Sequence, residues 1–343
     1  MVFTLRTIMH NLLDPAILFF VFGLVAGTLK SNLEIPPPIS RFLSLYLLMA
    51  LGLKGGFALA KSGMTAEVVV TLGLAVTLAI VIPALAYRIL KRFLTGYDAA
   101  AISATYGSVS AVTFITAVQY LENHGVPYGG HMAAAMALME SPAIVMAVLF
   151  ANGLRHARAT AVVALAGGAM LISTGPTMPR TSLATLLHES FTDGAQLLLL
   201  GAMVIGFMTG EVGQKMMAPF SIDLFKGMLA FFLLDMGLLA ARNLGELKGK
   251  SPWLLVYAIA APLVHAALAL TMAAVLGIGS GNGALLMALA ASASYIAVPA
   301  VLRYAIPEAK PSLYFGMSLG LTFPFNIIFG IPLYAALAAR VLG

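Results

Sequence analysis

The sequence predicts an all-α polytopic membrane protein of ten transmembrane helices, arranged as two five-helix repeats of which the second is inverted. Three observations predict it. The 343 residues are 61% hydrophobic and 9% charged, with a mean hydropathy of +0.98, whereas soluble chains are about 45–50% apolar and about 25% charged. Ten segments approach the length of roughly 20 mostly apolar residues that a spanning helix needs. The two halves carry matching residues in the same order. So little charge cannot solvate a surface, which excludes a soluble enzyme, a nucleic-acid-binding domain and a disordered regulator. The net charge of +6 does not point to nucleic acid, because the 19 Lys and Arg are spread over short loops. Without cysteine there is no disulfide framework, thiolate metal site or cysteine nucleophile.

The ten segments fall at about 14–31, 39–60, 66–90, 98–119, 131–153, 194–211, 219–241, 252–276, 281–302 and 312–339. The first apolar run, from Pro15 to Thr28, has no small-residue cleavage site ahead of a soluble domain and reads as a span, not a signal peptide. An eleventh candidate, 159–174, is rich in Ala and Gly but poor in Leu and Phe. Charge decides against it, since cytoplasmic loops carry excess Lys and Arg. With ten spans and the N-terminus outside, thirteen basic residues face inward and five outward; an eleventh span would make the split ten to eight. Residues 155–190 therefore read as a cytoplasmic connector whose weakly apolar middle lies on the membrane or against the bundle. The domains expected are a first repeat over 1–153, a connector over 154–190 and an inverted repeat over 191–343.

The repeat rests on several matches. Pro38-Ile39-Ser40 aligns with Pro219-Phe220-Ser221, and Gly56 then meets Gly237 without a gap. Asp14 pairs with Asp193, Gly27 with Gly206, and Ser108-Val109-Ser110 with Ser292-Ala293-Ser294. Five spans per half is an odd number, so the second half must insert upside down. Inverted repeats are the architecture of many secondary transporters, with the substrate near the midplane where interrupted helices meet.

The interruptions are expected in the fourth and ninth spans, at Gly107-Ser108-Val109-Ser110 and at Ser292-Ala293-Ser294-Tyr295 through Pro299. Small polar residues let a helix unwind there, and the freed amides and carbonyls must be met by a ligand, ion, water or neighbouring helix. Half-helix N-termini suit an anion, while carbonyls and hydroxyls suit sodium. Close helix packing is the competing reading; two clusters at repeat-equivalent places favour the functional one.

Glu140, ahead of Ser141-Pro142 in the fifth span, is an ionisable residue at mid-membrane and a candidate to ligate a cation or carry a coupling proton. In the tenth span Thr322 and Asn326 offer neutral oxygens. Lys54 and Asp235 are repeat-equivalent and are expected to pair with each other. The six histidines lack metal-ligand spacing, and His265 reads as a packing residue. Gly277 to Gly283 lacks the Lys and strand–helix context of a phosphate loop and reads as a short external turn. No nucleophile–base constellation suggests an enzyme.

With Leu302-Arg303, Ile306-Pro307 and Pro311-Ser312 added to these motifs, nearly the whole chain resembles the sodium-dependent bicarbonate transporter family. The resemblance implies sodium-coupled uptake of bicarbonate by alternating access, in a homotrimer of elevator-like subunits in the bacterial inner membrane. Spans one, two, six and seven would form the gate, and spans three to five and eight to ten the moving core. It places the anion on Ser108, Val109, Ser110, Ser292, Ala293 and Ser294, with Tyr295 beside them, and sodium on Glu140 with Ser108, Ser294 and Thr322. Sodium is the coupling ion and no other cofactor is implied; a soluble regulator like the nitrogen-regulatory signal proteins is the further partner that the family admits. Cyanobacterial members of the family tend to carry Asp where this chain has Tyr295, and Gly-Pro-Pro-like residues where it has Ala297-Val298-Pro299. Two alternatives stand beside this reading: a sodium- or proton-coupled carrier of another small anion or solute, and a non-transporting receptor or scaffold on a carrier fold.

Overall fold

The computed structural model describes residues 13–63, 65–165, 194–245 and 251–343, and the regular structure among them is entirely helical. The first half contains α1 (Pro15–Thr28), α2 (Pro37–Ser62), α3 (Ala66–Leu90), α4 (Gly96–Gly107), α5 (Ala111–Asn123) and α6 (Met132–Leu165). The second contains α7 (Gly194–Ala218), α8 (Phe225–Leu244), α9 (Pro252–Val275), α10 (Ser280–Ala291), α11 (Ala297–Ala305) and a composite α12 (Pro311–Val341). Among the described residues, seven helical stretches are long and apolar enough to cross a membrane. One is the run Gly194–Leu244, which takes in two expected segments through a kink at Gly210 and a π-helical turn at Pro219–Asp223. The first expected segment and the first half of the ninth are shorter apolar helices. The protein is an integral membrane protein, its lipid-facing surface marked by exposed Phe19, Phe22, Val204, Phe207 and Val264.

Local chemistry sets the helix starts. Asp14 accepts from the amide of Ala16 at 2.8 Å, and Pro15 takes the first position of α1, where a missing N–H costs nothing. Thr95 caps α4 and bonds Asp98, whose other oxygen accepts from the amide of Lys310 at 2.8 Å. In α12, π-helical turns at Gly316–Thr322 and Asn326–Gly330 flank Pro324, which has no N–H to give to the helical ladder. The fifth expected span runs on as helix to Leu165, past residue 153; the rest of the expected connector, 166–190, lies outside the described residues.

Two packing units can be distinguished, joined where α8 packs against the π-helical turn Gly316–Thr322 of α12. In one, α1 lies along α8 and α2 along α7. The backbones cross in contact because the crossing points are glycines. A Cβ on Gly237 would lie 2.2 Å from the Phe20 carbonyl oxygen, and one on Gly56 2.1 Å from that of Met203, the close approach small residues permit in lipid. In the other unit, α3, α4 and α6 pack together, as do α9, α10 and α12, and α5 rests on α10.

The expected Lys54–Asp235 pair does not form. Lys54 binds Glu122 at the end of α5 at 2.7 and 2.9 Å and lies 4.4 Å over the Phe225 ring. Asp235 accepts instead from the hydroxyl of Ser40. Lys54 lies on α2, which packs along α7, whereas Asp235 lies on α8, which packs along α1, so the two residues sit in different helix pairs. Around Glu122, Tyr128 donates to the carboxylate at 2.8 Å, Asn123 donates to Asp14 at 2.8 Å, and Lys226 donates to Asn123 at 3.0 Å. These contacts strap the end of α5 to α1, α2 and α8.

Candidate functional site

Both expected helix breaks are present. The chain leaves α4 at Gly107, runs extended through Ser108 (φ −93°, ψ −177°) and re-enters helix at Ala111. Gly107 is needed there because a Cβ would sit 2.6 Å from the ring of Pro83 on α3. The second break separates α10 from α11 over residues 292–296. Ser110 caps α5, its Oγ accepting from the amide of Thr113 at 3.2 Å, and Ser294, two residues ahead of the α11 N-cap Ile296, accepts through Oγ from the amide of Val298 at 3.3 Å. The breaks also bind each other. The amide of Ser110 donates to Ser292 Oγ at 2.9 Å, and the amide of Ser294 donates to the Thr105 carbonyl at 2.8 Å. Each break thus meets part of the polar demand of the other, as interrupted backbone in a membrane requires.

A cavity of about 250 Å³ opens against this crossing. Val109, Ser110, Ser294 and Tyr295 line it together with Glu140 of α6. Its opposite wall is Ser44 and Leu48 of α2 and Gln196 and Leu199 of α7, so the site lies between the two packing units. Gln196 donates to the Glu140 carboxylate across it at 2.6 Å. The first amides of α5 and α11, which have no acceptor inside their own helices, belong to residues on the cavity wall, Ala111, Val112 and Ala297. No Lys, Arg or His is present among the described lining residues.

Three of the expected anion-site residues, Ser108, Ser292 and Ala293, are buried outside this lining. The hydroxyl of Ser292 is engaged with Leu289 O and Ser110, whereas that of Ser108 has no hydrogen-bond partner. Thr322 and Asn326 also stand apart from the cavity, behind the breaks. Thr322 donates to the Ala258 carbonyl and bonds the Tyr106 hydroxyl, both at 2.6 Å. Asn326 donates to the Ala291 carbonyl at 2.8 Å, meeting an orphan at the end of α10, and accepts from Tyr334 at 2.8 Å. Ser44 and Gln196 escaped the sequence reading; their only signal is a lone polar residue inside an apolar run.

Tyr295 is 6% exposed. Its ring stands edge-on to Phe323 at 5.2 Å, and its hydroxyl lies 3.7 Å from the Met236 sulfur on α8. With Ser44, Ala195 and Ile296 it also borders a larger vestibule of about 1050 Å³ whose rim includes Arg41, Asn243 and Ser312.

The family model described as the Na+-dependent bicarbonate transporter superfamily matches residues 15–339, nearly the whole chain. The chain belongs to this superfamily. The match takes in both helix breaks, Glu140 and every residue that lines the cavity. No curated protein matches the sequence. As a superfamily member the chain is a membrane transporter.

Proposed function

We propose that the protein is a secondary active transporter that takes up bicarbonate or a related small carboxylate together with sodium, by alternating access. The observation that carries this is the meeting of two mutually bonded helix breaks with Glu140 at one cavity. Helix N-termini there suit an anion. With no Lys, Arg or His among the described lining residues and a carboxylate present, a co-bound cation is what would balance a second negative charge.

In this reading the ten expected segments form two inverted repeats. Support comes from the glycine crossings: Gly56 and Gly237, matched by the repeat, each sit at one crossing, of α2 with α7 and of α1 with α8. The unit of α1, α2, α7 and α8 is the gate, the remainder is the elevator-like core, and subunits assemble as trimers in a bacterial inner membrane with the N-terminus outside. Ser110 and Ser294 hold the anion with the neighbouring amides, and Glu140 serves sodium. Thr322 and Asn326 act through position, by holding helix ends. With this orientation the Lys54–Glu122 strap is external and the vestibule opens to the cytoplasm.

The test is uptake of labelled bicarbonate into proteoliposomes with and without an inward sodium gradient, comparing wild type with Ser110→Ala and Glu140→Gln. Sodium-driven accumulation weakened by both substitutions is expected. Accumulation indifferent to sodium would refute the coupling, and absence of uptake under any gradient would remove bicarbonate as the substrate.

A further inference from the structure

We infer that the cavity takes monocarboxylates with a compact apolar body and prefers them to bicarbonate. The inference rests on the proposed transport site and concerns the class of solute that fills it.

Volume is the first ground. An apolar cavity of about 150 Å³ suffices to hold benzene, and the present one measures about 250 Å³. Bicarbonate, with four heavy atoms, would leave most of that space to be filled by something else. Chemistry is the second ground. Twelve of the eighteen lining residues are aliphatic or methionine, among them Leu48, Val112, Met136, Ile144, Leu199 and Val301. An inorganic anion carries charge on every side, and an oxygen turned to such a wall loses its water without gaining a donor. A carboxylate joined to a hydrocarbon body has one pole for the helix ends and another for this wall. That combination of a few placed polar groups in a mostly apolar pocket is how organic ligands are held.

Tyr295 lines both the pocket and the vestibule beside it, at the position where the resemblance leads one to expect a carboxylate. An aromatic surface there adds to the apolar wall and removes a negative charge that would repel an anion.

The experiment is calorimetric titration of the detergent-solubilised full chain with acetate, 3-methylbutanoate, bicarbonate and the uncharged 3-methylbutanamide, each in sodium and in choline chloride. Each methylene buried is worth roughly fourfold in affinity, so 3-methylbutanoate should bind at least about tenfold more tightly than acetate or bicarbonate, and the amide should not bind. Val301→Phe, which fills the aliphatic wall, should weaken 3-methylbutanoate about tenfold and acetate less than about twofold. Bicarbonate binding as tightly as 3-methylbutanoate overturns the inference and leaves the proposed transport function standing. Tight 3-methylbutanoate binding that is the same in choline supports the inference and counts against sodium coupling. If no anion binds in either medium, both fall.

Discussion

The main-chain N–H of Ser110 donates to the hydroxyl of Ser292 at 2.9 Å, across 182 residues of sequence. One broken helix is therefore held in place by the other. Ser292→Ala leaves a buried amide without its acceptor, at a cost of about 1–3 kcal/mol. The melting temperature of the purified protein should fall, and Ser292→Thr, which keeps the hydroxyl, should restore most of it. Equal melting of wild type and Ser292→Ala would show that the bond contributes nothing.

Lys54 and Glu122 join α2 to α5 at side-chain exposures of 17% and 28%. A partly exposed pair contributes about 0.2–1 kcal/mol, enough to shift a two-state balance by up to roughly fivefold. The native chain has no cysteine, so Ser44→Cys supplies a sole thiol on the border of cavity and vestibule. Adding Lys54→Met should slow its labelling by an impermeant maleimide applied from the vestibule side. An unchanged rate would mean the pair does not hold the proposed inward-facing state.

Tyr295 separates two roles that substitution can resolve. Tyr295→Phe gives up the 3.7 Å contact with the Met236 sulfur and the hydroxyl's hydrogen bond with Ser110, and its stability should fall by no more than about 1.5 kcal/mol. Tyr295→Ala also removes a buried ring packed on Phe323, for which roughly 3–5 kcal/mol is usual. Chemical denaturation in detergent would read both; comparable losses would place the value of the residue in its hydroxyl.

At the connector between α11 and α12, the Arg155 guanidinium holds the Glu308 carboxyl below its ordinary range through hydrogen bonds of 2.8 and 2.9 Å. A depressed carboxyl stabilises the fold above its unfolded pKa, and that contribution is lost as pH falls through the folded value. Melting temperature should therefore drop more steeply below about pH 4.3 in wild type than in Glu308→Gln. Parallel curves would show that the pair carries no linkage.

Much of this arrangement is legible in the residues alone. Helix breaks announce themselves at Gly107-Ser108 and Ser292-Ala293-Ser294 because small polar residues interrupt otherwise unbroken hydropathy, and their equivalence shows in the repeat. Glu140 is legible for a similar reason, a carboxylate where lipid would refuse one. What hydropathy cannot carry is the choice of partner. Lys54 meets Glu122 because the end of α5 lies against α2, a consequence of how whole helices pack. Thr322 and Asn326 show in sequence as oxygen donors, but that they meet Ala258, Tyr106, Ala291 and Tyr334 is decided by how the helices pack. Ser44 and Gln196 become part of a site only when α2 and α7 are set opposite the breaks.

The cavity draws one wall from α2 and α7 and the other from α5, α6 and α11. In the proposed alternating-access reading, a solute bound there is a non-covalent staple between two moving groups of helices. Whatever free energy it gains from touching both also holds them in this register, and by reciprocity a slip between them changes its affinity by the same factor. Strong grip and rapid slip are thus opposed in one structure. A carrier with such a divided pocket moves fastest when its hold on the cargo is moderate, and the tightest ligands for this cavity should act as brakes.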